Sequence, residues 1–162
     1  MQSNVQTFLR QYKSIRKRTL KLLEVVQPQH LDFAYKPGKF TLADQMRHIG
    51  AIERYLYAET IADRKNAYRG CGKELADGYE NILAFLHQTH AESLEIFENL
   101  TDSQLDEICY TPTGHPIKKG KWMELLAEHE IHHRAEIYLY LNLLDVQTPP
   151  MYGLTAEEVA GL

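Results

Sequence analysis

Cysteine is scarce in this 162-residue chain, which has only Cys71 and Cys109. Two thiols this far apart build neither a disulfide framework nor a CxxC metal knuckle, so both are expected to be ordinary thiols. Long apolar runs are missing too. None approaches the ~20 residues that a membrane-spanning helix requires, so no membrane partner is expected. The opening segment "MQSNVQTFLRQYK" carries no apolar signal region, and the cytoplasm is the expected compartment. A cationic surplus is also absent: 18 Lys and Arg stand against 22 Asp and Glu, for a net charge of −4. That argues against a nucleic-acid partner, which would select a basic domain. No internal repeat, low-complexity tract or alternating strand pattern is present. The composition, 44% apolar and 25% charged, is that of a soluble globular protein. The length predicts one domain, over residues 1–162, that buries roughly 70% of the surface its unfolded chain exposes.

Against these absences stands an excess of histidine, eight residues in all. Three of them, His129, His132 and His133, fall within "EHEIHHRAEIYLYL", residues 128–141. Their meaning depends on the helices around them. Val5, Phe8, Leu9, Tyr12, Ile15, Thr19, Leu23 and Val26 follow a 3.6-residue period and predict a first helix over about 3–27, stopped by Pro28. Thr41, with Asp44 three residues on, caps a second helix that carries Leu42, Met46, Ile49, Ile52, Leu56 and Ile61 to about Asp63. The polar, glycine-bearing "RKNAYRGCGKELADG" reads as a long crossover loop. A third helix is expected from about Asp77 to Leu100 and a fourth from about Trp122 to Leu144, with an irregular connection between them. Thr155 and Glu158 form a capping box for a short terminal helix. Four long helices predict an all-α four-helix bundle.

At ~100° per residue, spacing becomes direction. On the fourth helix, His133 lies ~40° from His129, and both fall among Leu125, Leu126, Tyr140 and Leu144. An i, i+4 histidine pair lets one helix face offer two nitrogens to one metal. His132 lies nearer the edge. A third ligand must then come from elsewhere, and His48 sits on the inward stripe of the second helix beside Asp44, Ile52 and Tyr55. Three imidazoles from two helices would hold a divalent cation and leave positions for water or substrate. "HEIHH" also fits the zincin form, HExxH, but Glu130 at ~100° turns away from the histidines and a bundle is the wrong setting for that motif.

The segments "LDFAYKPGKFTLADQMRHIGAIERYLY" (31–57) and "LLAEHEIHHRAEIYLYLNLLDVQTPPMYG" (125–153) resemble the DinB-like family, the DinB/YfiT-like metalloenzymes. The resemblance rests on a histidine early in the second helix, a late H-x-x-x-H-R and a closing "PxYG", and it covers nearly the whole chain in order. It implies an up-down-down-up bundle with a divalent metal held by His48, His129 and His133. It also implies homodimers and, in some relatives, transferase or isomerase chemistry with a low-molecular-weight thiol such as bacillithiol as co-substrate. Family members often carry Gln where this chain has Glu136, which lies on the same face as the histidines.

The expected activity is therefore transfer of a low-molecular-weight thiol to a small-molecule electrophile, with zinc or nickel as the cation. Hydrolysis is the nearest variant. Glu136 and His90, at the centre of the third helix's apolar stripe, are the candidate acid–base groups. The alternative is a non-catalytic, metal-binding dimer for interaction or sensing, with Glu136 or His90 closing a four-ligand site. Asp44 is a candidate to orient His48. Arg134 is expected in a surface or dimer salt bridge, and Lys118, Lys119 and Lys121 in a solvated loop. His30, His87 and His115 are given no role.

Overall fold

The structure, a computed structural model, describes residues 4–161. Helix α1 (Asn4–Leu23) is 20 residues long and buries the predicted stripe of Val5, Leu9, Tyr12, Ile15 and Thr19. It ends before Val26, and a 3₁₀ turn (Pro28–His30) follows. The expected start at residue 3 lies outside the described residues. Helix α2 (Leu42–Ile52) opens on the Thr41–Asp44 capping box, in which each side chain binds the other's backbone N–H. A π-helical turn (Glu53–Ala58) then leads into α3 (Glu59–Ile61). Helix α4 (Tyr79–Glu98) and helix α5 (Lys119–Leu143) complete the bundle. A short α6 (Ala156–Ala160) carries the predicted Thr155–Glu158 box.

Side-chain pairings give the direction of each helix. Arg47 reaches the Ala76 carbonyl and Arg54 reaches Glu92, so α2 and α4 run parallel, which is why the 62–78 connection must travel the length of the bundle. Thr60 accepts from Trp122 while Gln45 meets His133, so α2 and α5 are antiparallel. Lys13 pairs with Glu98 and Tyr79 binds the Leu23 carbonyl, so α1 and α4 are antiparallel. The order is up-down-down-up. Where α2 crosses α4, Gly50 makes room: a Cβ there would lie 2.8 Å from Thr89 Oγ1 and 3.1 Å from a Phe85 ring carbon.

The apolar core forms two clusters. One gathers Tyr12, Ile61, Phe97, Trp122 and Leu126; the other gathers Leu22, Met46, Ile49, Ile82, Leu86 and Ile137. Each large side chain buried in them contributes ~1.5–3 kcal/mol. A charged layer joins α1, the π turn after α2, and α5. Arg16 on α1 donates through Nε and Nη2 to the two oxygens of Glu130, both at 2.9 Å, and through Nη2 to Glu53 Oε2 at 2.7 Å. All three side chains are almost fully buried.

Several expectations need correction. A two-stranded hairpin, β1 (Ile108–Tyr110) and β2 (Pro116–Lys118), precedes α5 where no strand was expected; three-residue strands are too short to show an alternating pattern. Helix α5 begins at Lys119, not Trp122, and Lys119 is buried against Asp63 and Glu107 rather than solvated in a loop. Glu130 faces the core, because the buried line of α5 runs through Leu126, Glu130 and Ile137, roughly 90° round from His129. Arg134 lies near that line, 5% exposed, donating to the Ile15 carbonyl instead of making a surface salt bridge. Charged residues in a buried line hide the face they occupy.

Candidate metal centre

Helix α5 presents His129 and His133 one turn apart, and antiparallel α2 brings His48 to them. The Nε2 atoms of His48 and His129 are 3.2 Å apart, and those of His129 and His133 are 3.1 Å apart. The three predicted ligands thus offer one nitrogen each to a single point. For a tetrahedral zinc site, Zn–N distances of 2.0–2.1 Å imply nitrogen–nitrogen edges of ~3.3 Å.

The outer ring nitrogens support this use of Nε2. His133 Nδ1 donates to Gln45 Oε1 at 2.6 Å and to Glu136 Oε2 at 2.8 Å. Both partners are acceptors, so the proton sits on Nδ1 and the Nε2 lone pair is left facing its neighbours. His48 Nδ1 is 2.8 Å from the hydroxyl of Tyr68, in the crossover. His129 Nδ1 is buried without a hydrogen-bond partner among the described residues, so all of that ring's polar contacts are made through Nε2. One shared proton between the rings could serve only one of the two short contacts; a cation at their centre serves all three nitrogens.

Charge state fits as well. Burial, then repulsion from His133, lowers the His48 pKa to about 4; the same causes take His129 to about 3. Burial also lowers that of His133, against the pull of Glu136. The rings are neutral at neutral pH, as metal ligation requires. A second grouping of donors, His132, His133 and Glu136, lies on the outer side. It shares His133, whose Nδ1 proton is already committed to Glu136, so the carboxylate acts there as the orienting partner of a histidine.

Beside His133 lies a cavity of about 390 Å³, lined by Tyr35, Lys39, Phe40, Gln45, Glu136 and Tyr140 among others. Tyr140 donates its hydroxyl to the Phe40 carbonyl at 3.0 Å, pinning this loop over the site. The Phe40 ring packs 5.2 Å from that of His48. Ligand pockets are typically ~300–1,000 Å³, and the volume of this cavity falls within that range.

Other candidates fall elsewhere. Glu136 belongs to the site; His90 does not. His90 packs on Tyr12 and donates Nδ1 to Glu53 at 2.8 Å, lining a groove between α1 and α4. Asp44 does not orient His48; it caps Thr41 and accepts from Arg47 Nη2 at 2.6 Å, and Gln45, the next residue, reaches His133 instead. Tyr55 packs on Phe85, and Tyr57 takes the place beside His129, with ring centroids 6.0 Å apart. The cause is the π turn, whose i→i+5 bonding delays the register after Ile52. Burial, then Glu128, pushes the Tyr57 phenol up to about 12. Sequence reasoning missed Gln45, Tyr57 and Tyr68; only Gln45, three residues before His48, carried a periodic signal. Burial pushes the Cys71 and Cys109 thiols up, and neither joins the triad. No described helix is long and apolar enough to cross a membrane.

Comparison with known proteins agrees with this fold. A curated relative, the Bacillus subtilis protein YjoA, described as uncharacterized, is 28% identical over 146 residues, covering 87% of this chain and 91% of its own. Among solved structures, a DinB-like protein from Bacillus cereus superposes with a TM-score of 0.78 at 18% identity, covering 93% of this chain and 99% of the other. YfiT from Bacillus subtilis superposes with a TM-score of 0.68 at 20% identity, covering 91% and 92%; it is described as "a probable metal-dependent hydrolase with an unusual four-helix bundle topology". The family model described as the DinB superfamily matches residues 11–137, and the chain belongs to that superfamily.

Proposed function

We propose that this protein is a metal-dependent enzyme acting on a small electrophilic molecule, with His48, His129 and His133 holding a divalent cation. The observation that carries the reading is the convergence of three Nε2 atoms from two antiparallel helices beside a cavity. Zinc or nickel suits three imidazoles. Such a cation, when bound, lowers the pKa of a coordinated water or thiol and so provides a nucleophile at neutral pH. No fourth His, Cys, Asp or Glu joins the triad among the described residues, which supports an open, catalytic site over a closed structural one.

The chain's own residues do the rest. Gln45 and Glu136 hold the His133 ring in one tautomer. Glu136 Oε2 is occupied by that ring, while Oε1 lies 3.6 Å from His132 Nε2 at the cavity edge, where it can accept a proton from the entering nucleophile. Phe40, Tyr35 and Tyr140 give the substrate an apolar wall, and the ammonium of Lys39 offers a partner for an anionic group on it. Transfer of a low-molecular-weight thiol is the reaction we favour, and hydrolysis of an activated ester or amide is its competitor.

The test is an assay of the zinc- or nickel-loaded protein against a small electrophile, with and without an added thiol. Thiol-dependent consumption of the electrophile, lost in a folded His129→Ala variant, supports transfer. Consumption that needs no thiol assigns hydrolysis. A His129→Ala protein as active as the parent rejects the metal mechanism.

A further inference from the structure

A second cavity, with a volume of about 1070 Å³, lies away from the triad as a groove between α1 and α4. Its lining is strongly cationic. The segment "YKSIRKRTLK" (12–21) puts Lys13, Arg16, Lys17, Arg18 and Lys21 into it, five of the chain's 18 basic residues, and Glu24 is the one carboxylate among the lining residues. In a chain of net charge −4, that is a local field of the opposite sign.

The cations are not equivalent. Lys13 is paired with Glu98, and Arg16 is turned inward onto Glu53 and Glu130. Lys17 and Lys21 are exposed and make no ion pair among the described residues. The lining also has an apolar part, with Leu20, Leu94 and Tyr152, and the Arg18 guanidinium lies over the Tyr152 ring at 5.6 Å. His90 forms part of the inner wall. Its Nδ1 is taken by Glu53, and its Nε2 has no partner among the described residues.

We infer that this groove binds a small amphipathic organic anion. Its carboxylate is met by Lys17 and Lys21, and its hydrocarbon body lies on Leu20, Leu94 and Tyr152. Apolar burial supplies most of the affinity, and the unpaired lysines select the sign of the charge. A concave groove just above the usual ligand-pocket range of ~300–1,000 Å³ favours a discrete small molecule over a membrane surface. The site shares no residue with the triad or its adjoining cavity, so it stands or falls independently of the proposed enzyme activity.

The experiment is titration of the full chain with dodecanoate below its micelle concentration, by calorimetry and by amide and side-chain NMR shifts. Saturable binding is expected, with shifts at Leu20, His90 and Leu94. Dodecyltrimethylammonium, of similar length and opposite charge, should not compete. The double variant Lys17→Glu/Lys21→Glu changes only exposed positions and should weaken binding by about fivefold or more. Lys65→Glu, at an exposed position outside the groove, should leave binding unchanged. Absence of binding, binding that survives the double charge reversal, or binding to anionic vesicles with none to monomeric dodecanoate each overturns the assignment.

Discussion

Replacing Arg16 with methionine keeps most of the side-chain volume and removes the one cation that, among the described residues, is bonded to two buried carboxylates. Glu53 is 0% exposed and Glu130 is 1% exposed. Arg16 donates three hydrogen bonds to them, at 2.7, 2.9 and 2.9 Å. Water does not reach either carboxylate, and His90 Nδ1 still meets only Glu53, so the variant must leave buried charge without its guanidinium or protonate it at an energetic cost. Breaking a buried pair in this way costs ~3–5 kcal/mol, a large part of the ~5–15 kcal/mol typical of a domain. At ~2–4 °C per kcal/mol for a chain of this size, the melting temperature should fall by ~6–20 °C. Circular dichroism during thermal and urea unfolding measures it. The charged layer need not be a net source of stability: Arg16→Met/Glu53→Leu/Glu130→Leu, which removes both orphaned carboxylates, should regain most of the loss. A loss below ~1 kcal/mol for Arg16→Met, the value of an exposed pair, would refute the reasoning. The layer also sets an acid limit. Despite burial, the charge of Arg16 and its hydrogen bonds hold the Glu130 carboxyl below its usual value. Its contribution is present above the unfolded carboxyl value of ~4.3 and is lost as pH falls through the lower folded value.

Three further outcomes follow from the same geometry. Glu136→Gln and Gln45→Leu should each weaken zinc binding by ~10-fold or more without unfolding the protein, because each loosens the hold on His133 Nδ1; competition with a chromogenic chelator reads this, and unchanged affinity in both would rule out their orienting role. Chelator-treated protein should lose stability as pH falls from neutral toward 5, because His48 and His129 stay uncharged in the fold down to about 4 and about 3 while the unfolded imidazoles, near 6.5, take up protons; a melting temperature that rises over that range would contradict the burial described here. Gly50→Ala should destabilise by ~1–3 kcal/mol, since the added methyl meets Thr89 and Phe85 at the α2–α4 crossing, and a neutral result in urea unfolding would mean that the crossing is slack.

The parts of this molecule that were legible in the sequence are those that repeat. Helix α1 shows its core stripe because Val5, Leu9, Tyr12, Ile15 and Thr19 recur at the helical period. The His129–His133 pair is legible because one turn separates two identical ligand types. His48 follows from its place on the second helix, and the Thr41 and Thr155 caps from their partners three residues on. What escaped the pattern is what breaks it. The π turn after Ile52 moves Tyr57, not Tyr55, to His129, and a fixed 100° step cannot anticipate an extra residue in a turn. Glu130 and Arg134 look like surface residues until Arg16 and the Ile15 carbonyl, more than a hundred positions away, are brought to them by the fold. Lys119 likewise depends on Asp63 and Glu107, and the hairpin's three-residue strands fall below the length at which alternation can be read.

Metal content tests the central claim most directly. Tag-free parent protein and His48→Ala, each incubated with zinc or nickel and then dialysed, should be compared by plasma mass spectrometry. The account predicts close to one metal ion per chain in the parent and essentially none in the variant, because His48 is the one ligand that α2 contributes to the pair on α5. A parent that takes up no metal, or a His48→Ala variant that holds as much as the parent, would show that the three converging nitrogens do not form a metal site.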